Sequence, residues 1–258
     1  MVVKDVAFAA ARGTGVPVLE ADPALAARVP ADQRRVAAAR LVARQRRIPP
    51  GPWDVGDRDE VLRPGLLGLL VTDGIVAGTT DVQGRAHVEL LGPGDVIQPW
   101  TEADAESVVV STVSWRAQTP LTVLLLDRRF ALAASPWPEI TAALMNRLVL
   151  RARRLSFQMA VSSLPRTTDR VLLMLWHFAD LWGTVTREGV TLQLPLTHSR
   201  FASVVGTRRP SFTAAVSELR EAGCLATRGR SEWILRPPAP RTFREIREQV
   251  GLPHRRAR

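Results

Sequence analysis

The sequence predicts an α+β protein built from a β-roll, one long helix and a C-terminal winged helix-turn-helix. Short segments rich in leucine and β-branched residues fill the middle of the chain, and turn residues separate them. The next segment, PWPEITAALMNRLVLRARRLSFQMAVSSL, contains no glycine and carries a helical pattern of apolar residues. Finally, LTHSRFASVVGTRRPSFTAAVSELREAGCL, residues 196–225, places two short amphipathic segments on either side of Gly206.

Composition restricts the class of protein before any motif is considered. The 258 residues are enough for one large or two ordinary domains, and 46% hydrophobic with 23% charged residues is typical of a globular protein. No apolar run approaches the roughly 18 residues of a membrane helix, and the apolar stretch at the start of MVVKDVAFAAARG is too short for a secretory signal. We therefore expect a cytoplasmic protein with no membrane partner. The single cysteine, Cys224, excludes an internal disulfide and a multi-cysteine metal centre.

The net charge of +10 is unevenly distributed along the chain. Residues 195–258 hold 13 Arg against 5 acidic residues, whereas residues 61–127 hold 3 Arg against 8 acidic residues. A basic C-terminal quarter behind an acidic middle is expected when only one end of the protein meets a polyanion. Solvated arginine faces are also common, so the charge favours nucleic-acid binding without requiring it.

The N-terminal segment carries no interpretable motif. DPALAARV and ADQRRVAAARLVARQRR read as helical, and the proline-rich stretch from Pro49 to Pro52 is the expected boundary with the roll. The predicted divisions are a helical extension at 1–52, the β-roll at 53–136, the long helix at 137–164, the winged helix-turn-helix at 165–240 and a basic tail at 241–258.

The β-roll is predicted from evenly spaced turn signals at Asp73-Gly74, Gly84, Gly92-Pro93-Gly94 and Pro120. A metal-dependent enzyme on such a roll would need several His and carboxylate ligands at one site, and residues 61–127 contain one histidine, His87. The sequence also lacks a nucleophile elbow, a P-loop and a dinucleotide fingerprint. We therefore expect no catalytic residues, no metal and no cofactor.

The long helix has apolar residues on more than one face, so more than one face must be covered. One face can rest on the roll, and the other can pair with its twin in a homodimer. The alternative is a helix that is fully buried inside one monomer. The residues expected at the dimer interface are Ile140, Leu144, Leu148, Leu155 and Met159.

The C-terminal elements follow the order of a winged helix-turn-helix. A capped helix, TTDRVLLMLWHFADLWG, precedes the hairpin TVTREGVTLQLP, and the hairpin LATRGRSEWIL follows the two short helices. Thr197 is the start signal of the first short helix, and Pro210 is tolerated in the first turn of the second. An ordinary helical hairpin with a charged corner would share these two helices but would not need the flanking hairpins.

The order of these parts resembles the Crp/Fnr (catabolite activator) family of bacterial transcription regulators over about residues 60–236. The pieces that carry the resemblance are LLGPGDVIQPW, WRAQTPLTVLLLDRRF, LPRTTDRVLLMLWHFADLWG and residues 194–225. Together they resemble an actinobacterial-type branch of that family. The resemblance implies a cyclic-nucleotide-binding-like roll, a homodimer, double-stranded DNA as the ligand and RNA polymerase as a further partner.

The resemblance also implies which residues contact DNA. Arg209 matches the recognition-helix arginine that the family aims at guanine, where a guanidinium can bond O6 and N7 together. Pro210 and Ala214 replace the family's recognition glutamate and its second arginine, so a different half-site is expected. The full set of expected DNA contacts is Arg209, Arg208, Ser211, Thr213, Thr197, His198, Arg200, Arg228 and Arg230.

The roll departs from members of the family that bind cyclic AMP. Their phosphate-binding and ribose-binding pairs correspond here to Gln98-Pro99 and Ser111-Thr112, which lack the charge-assisted contact to the phosphate. We therefore expect an unknown effector that is neither cyclic AMP nor cyclic GMP. The residues that would line its pocket are Gln98, Trp100, Ser111, Thr112, Arg116, Leu155 and Ser156.

One other class of function stays open, a scaffold whose winged module contacts a protein instead of DNA. DNA binding through phosphate neutralisation weakens steeply with salt, whereas an apolar protein contact does not. Salt dependence therefore separates the two.

Overall fold

The computed structural model describes residues 15–55, 67–98, 112–229 and 231–236. The architecture is α+β, with the predicted β-roll, long helix and winged helix-turn-helix following one another along the chain. The N-terminal domain contains β1 (Gly15–Pro17), β2 (Val42–Ile48), β3 (Gly51–Trp53), β4 (Gly68–Asp73), β5 (Val76–Val82), β6 (Arg85–Leu91), β7 (Val96–Ile97), β8 (Thr112–Ala117) and β9 (Leu121–Leu126).

These strands form two antiparallel sheets that face each other. The strand order is β1-β2-β9-β4-β7 in the first sheet and β3-β8-β5-β6 in the second. The β5–β6 hairpin turns at Gln83 and Gly84, which have φ angles of 52° and 79°. Positive φ at both turn positions matches the twist of the paired strands, and the Asp81 carboxylate accepts a hydrogen bond from the Gly84 N–H at 2.8 Å.

Side chains fill the space between the two sheets. Gly78 leaves room for the ring of Trp115, because a Cβ at position 78 would lie 2.8 Å from a carbon of that ring. The buried members of this cluster are Trp53, Val55, Leu69, Val71, Val76, Leu91, Ile97, Ala117, Leu121, Val123 and Leu125.

The N-terminal segment belongs to the roll, which differs from the separate extension expected for residues 1–52. Its helices are α1 (Val18–Ala21), α2 (Pro23–Ala26) and α3 (Arg34–Arg40). The stretch expected to continue as a helix instead forms β2, which pairs with β9 from Arg44↔Leu125 to Ile48↔Leu121. Pairing with β9 satisfies the β2 backbone and overrides its helical composition. Pro49 and Pro50 therefore connect strands of the two sheets and do not separate two domains.

Two helices follow the roll, α4 (Arg128–Ala134) and α5 (Pro138–Ser162). The Asp127 carboxylate caps α4 by accepting hydrogen bonds from the N–H groups of Arg129 and Phe130 at 2.9 and 3.0 Å. Pro138 lies in the first turn of α5, where its missing N–H costs no intrahelical hydrogen bond. The end of α4 and the start of α5 share a buried cluster with α1, α2 and α3.

Three arginines at i, i+4 and i+7 spacing, the arginine row, hold one face of α5 against the N-terminal domain. Arg147 and Arg151 each make two hydrogen bonds to one carboxylate, at 2.5 and 2.9 Å and at 2.8 and 2.7 Å. Planar guanidinium groups suit such two-point pairing. The pairs are Arg147 with Asp22, Arg151 with Glu89, and Arg154 with Asp95.

Several residues of α5 that were expected at a dimer interface are instead buried within their own chain. Ile140 and Leu144 are 0% and 4% exposed because they pack in the core of their own N-terminal domain. Leu148 also packs against that core, and Leu155 is half-buried. Of the expected set only Met159 is fully exposed, at 71%. A neighbouring stripe of exposed apolar and small residues, the outer α5 stripe, is made of Ala142, Met145, Val149, Ala152, Ser156, Met159 and Ala160. Leu150 and Phe157 are also exposed but lie beside this stripe.

The C-terminal domain begins immediately after α5. Its elements are α6 (Thr167–Trp182), β10 (Thr184–Thr186), β11 (Gly189–Gln193), α7 (His198–Val204), α8 (Arg209–Glu221), β12 (Leu225–Arg228) and β13 (Glu232–Leu235). The strands form one antiparallel sheet of order β10-β11-β13-β12.

The two domains share one apolar cluster, the roll–wing seam. Ala77, Val88 and Leu90 from the second sheet, with Ile75 just before β5, belong to the same cluster as the buried faces of α6, α7 and α8. At its edge the indole of Trp182 lies against Gly92, where a Cβ would come within 2.6 Å of the indole nitrogen. The winged domain is therefore packed directly on the roll.

Candidate nucleic-acid interface

The helix-turn-helix is formed by α7, α8 and the residues between them. Gly206 has a φ of +65°, a conformation that residues with a side chain rarely adopt, so it is suited to end α7. Its carbonyl accepts a hydrogen bond from Arg170 at 3.0 Å, and Arg170 also donates to the carbonyl of Leu164. Arg170 on α6 therefore fixes both the turn after α7 and the segment between α5 and α6.

An aromatic cluster fixes the angle between the two helices. Phe201 of α7 lies 5.0 Å from Phe212 of α8, measured between ring centroids. Trp233 on the wing strand β13 packs edge-on against Phe201 at 5.3 Å, and its indole N–H donates to the carbonyl of Leu194. Because these rings are buried, the opposite face of α8 is directed to solvent.

The exposed face of α8 carries the residues expected to read DNA. Arg208, Arg209, Ser211 and Thr213 are all exposed. Neither Arg208 nor Arg209 makes a side-chain hydrogen bond or an ion pair within the described part of the chain. No side chain caps the first turn of α8 either, so its backbone N–H groups add to the positive potential at the helix start.

The start of α7 lies beside the start of α8. The Thr197 hydroxyl caps α7 by accepting a hydrogen bond from the Arg200 N–H at 3.3 Å. His198 Nδ1 lies 3.0 Å from the Thr213 hydroxyl oxygen, and that hydroxyl donates to the Arg209 carbonyl at 3.0 Å. The residues expected to contact phosphate and bases are therefore linked across the two helices.

Arg200 points toward the roll, although it was expected among the DNA contacts. Its guanidinium donates to the Gln118 side-chain oxygen at 2.9 Å. Partial burial and the nearby charge of Arg116 lower the pKa of Arg200. In this arrangement Arg200 connects the two domains and is not directed away from the protein.

The wing carries two of the expected contacts, and the structure describes one of them. Arg228 donates to both carboxylate oxygens of Glu188, at 2.7 and 2.8 Å, and these hydrogen bonds raise the pKa of Arg228. Both side chains are more than half exposed, so the pair adds little stability. Arg230 lies outside the described residues.

The structure describes five of the seven residues expected to line an effector pocket. Gln98, Thr112 and Ser156 are exposed, and the Ser156 hydroxyl donates to the Ala152 carbonyl one turn earlier at 3.1 Å. Arg116 and Leu155 are partly buried. Trp100 and Ser111 lie outside the described residues. Within the described residues, no three His, Cys, Asp or Glu side chains are grouped to hold a metal ion.

Sequence reasoning missed Gln118, Arg170, Glu188 and Trp182. Gln118 and Arg200 are 82 positions apart in the chain, so no local pattern indicates their contact. Glu188 lies in the predicted hairpin TVTREGVTLQLP, but its pairing with Arg228 depends on how the strands pair. Gly92 was recognised as a turn glycine, but its contact with Trp182 is a packing feature without a sequence signal.

No helix in the described part of the chain is long and apolar enough to cross a membrane.

Comparison with known proteins shows where the chain resembles others. Residues 169–239 match the family model described as a Crp-like helix-turn-helix domain. A curated relative from Porphyra purpurea, ycf28, whose name describes an HTH-type transcriptional regulator, is 26% identical over 83 residues. That alignment covers 32% of this chain and 35% of the relative.

Solved structures resemble the chain over most of its length. FixK2 from Bradyrhizobium japonicum has a TM-score of 0.59 at 18% identity, covering 84% of this chain and 100% of that protein. A CooA mutant from Carboxydothermus hydrogenoformans has a TM-score of 0.58 at 17% identity, with coverages of 81% and 88%. CLP from Xanthomonas campestris, described as a c-di-GMP responsive global regulator, has a TM-score of 0.54 at 22% identity, with coverages of 76% and 95%. The fold is thus shared across both domains, with a Crp-like helix-turn-helix at the C-terminal end.

Proposed function

We propose that the chain is a sequence-specific DNA-binding transcription regulator that acts as a homodimer on an inverted-repeat site. The observation that carries the proposal is the start of α8, where Arg208 and Arg209 are exposed without an acidic partner among the described residues. They lie on the second helix of a Crp-like helix-turn-helix domain, the helix that enters the major groove in this motif.

The roles of the residues follow from their chemistry and position. Arg209, at the first position of α8, reads a guanine through O6 and N7, and Ser211 and Thr213 lie further along the same exposed face. Arg208, the start of α7 at Thr197 and His198, and the wing arginines Arg228 and Arg230 contact phosphates and set the register on the duplex. Arg200 serves DNA binding indirectly, through its hydrogen bond to Gln118.

The outer α5 stripe supports the homodimer. Met145 and Val149 are 55% and 50% exposed, and they lie on one helical face together with the small residues Ala142, Ala152 and Ser156. Apolar and small residues at alternating four- and three-residue spacing form the seam of paired helices. Two winged domains related by a two-fold axis would then read two half-sites of opposite orientation, a whole number of helical turns apart.

The roll is proposed to regulate without cyclic AMP or cyclic GMP. A cyclic phosphate needs positive charge to replace its hydration, and Gln98 and Ser111 stand where the family supplies its binding pairs. Contact with RNA polymerase, a cytoplasmic location and membership of an actinobacterial branch stay predictions. The proposed role involves no catalysis.

Selection of bound sequences from a random duplex pool tests the proposal. We expect an inverted repeat to be enriched, with at least one guanine in each half-site. The Arg209→Ala variant should fail to enrich that guanine, whereas Arg129→Ala, which removes an exposed arginine of α4, should select the same site. Titration with the selected duplex at increasing salt should show a steep loss of affinity. Absence of any enriched sequence, or binding that is insensitive to salt, would favour the protein-scaffold alternative.

A further inference from the structure

The hydrogen bonds between His198 and Thr213 restrict what the imidazole can do at a DNA phosphate. The Thr213 hydroxyl oxygen lies 3.0 Å from His198 Nδ1 and 3.0 Å from the Arg209 carbonyl oxygen one turn earlier. Both contacts join groups at the proposed DNA surface, so the inference rests on the proposed function.

A hydroxyl has one hydrogen to donate. The Arg209 carbonyl is only an acceptor, so Thr213 can satisfy it only as the donor. While Thr213 donates to this carbonyl, the lone pairs of its oxygen face His198, and the second bond forms only with the hydrogen on Nδ1. The neutral imidazole is thereby held with its hydrogen on Nδ1 and a lone pair on Nε2.

The position of the ring is fixed by its neighbours. The imidazole packs edge-on against Phe212 at 5.2 Å and lies 6.2 Å from Trp233, measured between ring centroids. Within the described residues no hydrogen bond joins Nε2 to another side chain. Nε2 is therefore the nitrogen left for a ligand.

Charged groups on the surrounding elements are engaged elsewhere or lie on other turns. On α7, Arg200 is bonded to Gln118. On α8, the Glu218 carboxylate accepts a hydrogen bond from Thr168. On β13, Glu232 stands opposite Arg228 in the strand register. The other charged residues of α8 and its cap are Arg208, Arg209, Arg220 and Glu221, and none of them forms a hydrogen bond or an ion pair with the imidazole among the described contacts.

A phosphate oxygen can only accept a hydrogen bond. Neutral His198 would present the Nε2 lone pair to that oxygen and repel it, whereas protonated His198 has hydrogens on both nitrogens. From this geometry we infer that Thr213 is a positioning residue that makes the phosphate contact of His198 conditional on protonation, so that each subunit takes up a proton when it binds DNA.

The experiment measures the association constant for the selected duplex between pH 5.5 and 8.0 at constant ionic strength. For the wild-type dimer, affinity should increase as the pH falls, by up to about tenfold per pH unit for each subunit, which is the limit for one linked proton. His198→Gln should abolish this dependence, because its amide donates a hydrogen bond at every pH.

Two substitutions at Thr213 separate the roles of tautomer and charge. Thr213→Val preserves the shape but removes the hydroxyl, so the neutral imidazole can place its hydrogen on Nε2 and donate it to phosphate. Its pH dependence should become shallow. The slope is the readout, because Thr213 is also a proposed DNA contact and losing its hydroxyl changes affinity by the same factor at every pH. Thr213→Ser keeps the hydroxyl and should keep the wild-type dependence. Circular dichroism verifies that each variant is folded.

The outcomes distinguish this inference from the proposed function. Specific binding with a flat wild-type pH profile, or a profile unchanged by His198→Gln, overturns the inference and leaves DNA binding intact. A Thr213→Val profile as steep as the wild type would mean that the hydroxyl does not control the tautomer, which also overturns it. Failure to bind any duplex at any pH would overturn the proposed function itself.

Discussion

Arg209 is the first residue of α8, and its side chain is exposed. If it bonds O6 and N7 of one guanine, Arg209→Ala should cost about 1 to 3 kcal/mol on the preferred site and reduce discrimination at one base pair. Competition titrations with single-base variants of the site measure both quantities. Equal losses on specific and random duplexes would instead identify Arg209 as a phosphate contact.

Glu188 should weaken DNA binding by occupying Arg228. The carboxylate accepts two hydrogen bonds from the guanidinium, and a phosphate would have to replace it. Glu188→Gln should therefore increase affinity for specific and random duplexes alike and make the salt dependence steeper. Arg228→Ala should lower both affinities and make that dependence shallower. An effect confined to the specific site would contradict a phosphate role for the wing.

His177 should make the protein less stable in mild acid. Burial, and secondarily the charge of Arg154, lower its pKa from the ordinary value of 6.5, while Asp180 partly opposes the shift. The unfolded chain therefore binds a proton at His177 more readily than the folded protein does. The contribution of His177 to the free energy of unfolding is fully present above pH 6.5 and is lost as the pH falls toward the folded-state pKa. His177→Phe can keep the packing on Phe157. This variant should reduce the difference between the free energies of unfolding, measured by urea titration, at pH 7.5 and pH 5.5. An unchanged difference would assign the acid sensitivity to other groups.

At the scale of elements, α5 divides its surface between the N-terminal domain and solvent. The arginine row and Ile140 face the N-terminal domain, and the outer α5 stripe faces solvent. The sequence indicated the helix and its several apolar faces, because periodicity is local. It did not indicate which face the roll covers, since that depends on Asp22, Glu89 and Asp95, which lie 59 to 125 positions away.

The outer α5 stripe predicts where a charge will separate the subunits. Val149→Glu would place a carboxylate in the proposed seam without a partner and should release monomers. Leu132→Glu is a matched control, because it changes a 63% exposed residue of α4 in the same way and should leave the dimer intact. Sedimentation at micromolar concentration measures both. A monomeric wild-type protein, or a Val149→Glu variant that stays dimeric, would contradict this arrangement.

At the scale of the whole molecule, local signals predicted the order of the roll, long helix and winged domain, and tertiary contacts determined how they join. The helix-turn-helix could be predicted from the sequence because its signals are local. Each of them, Gly206, Pro210 and the hairpin glycines, affects only residues close to its own position. The assignment of β2 and the contact of Arg200 depend on strand pairing and domain packing, which a pattern of neighbouring residues does not contain.

The roll–wing seam should couple the stabilities of the two domains. Gly92→Ala would place a Cβ against the rigid indole of Trp182 and should lower the free energy of unfolding. Trp182→Phe removes part of that ring, so the double variant should lose less than the sum of the two single variants. Gly15→Ala is the control, because the nearest side-chain atom to its new Cβ lies at 3.5 Å. Strictly additive effects in thermal unfolding would mean that the contact carries no coupling.

The same seam limits how freely the two halves can be exchanged between proteins. A chimera that joins this winged domain to a foreign roll would place Trp182 against whatever residue stands at the position of Gly92. It would also pack α7 on a sheet face whose side chains differ from those of this roll. A second-site change on the receiving roll would then be needed before the graft became stable. Recombination within such a lineage should accordingly carry the glycine, the tryptophan and the apolar face of the second sheet together, as one inherited unit.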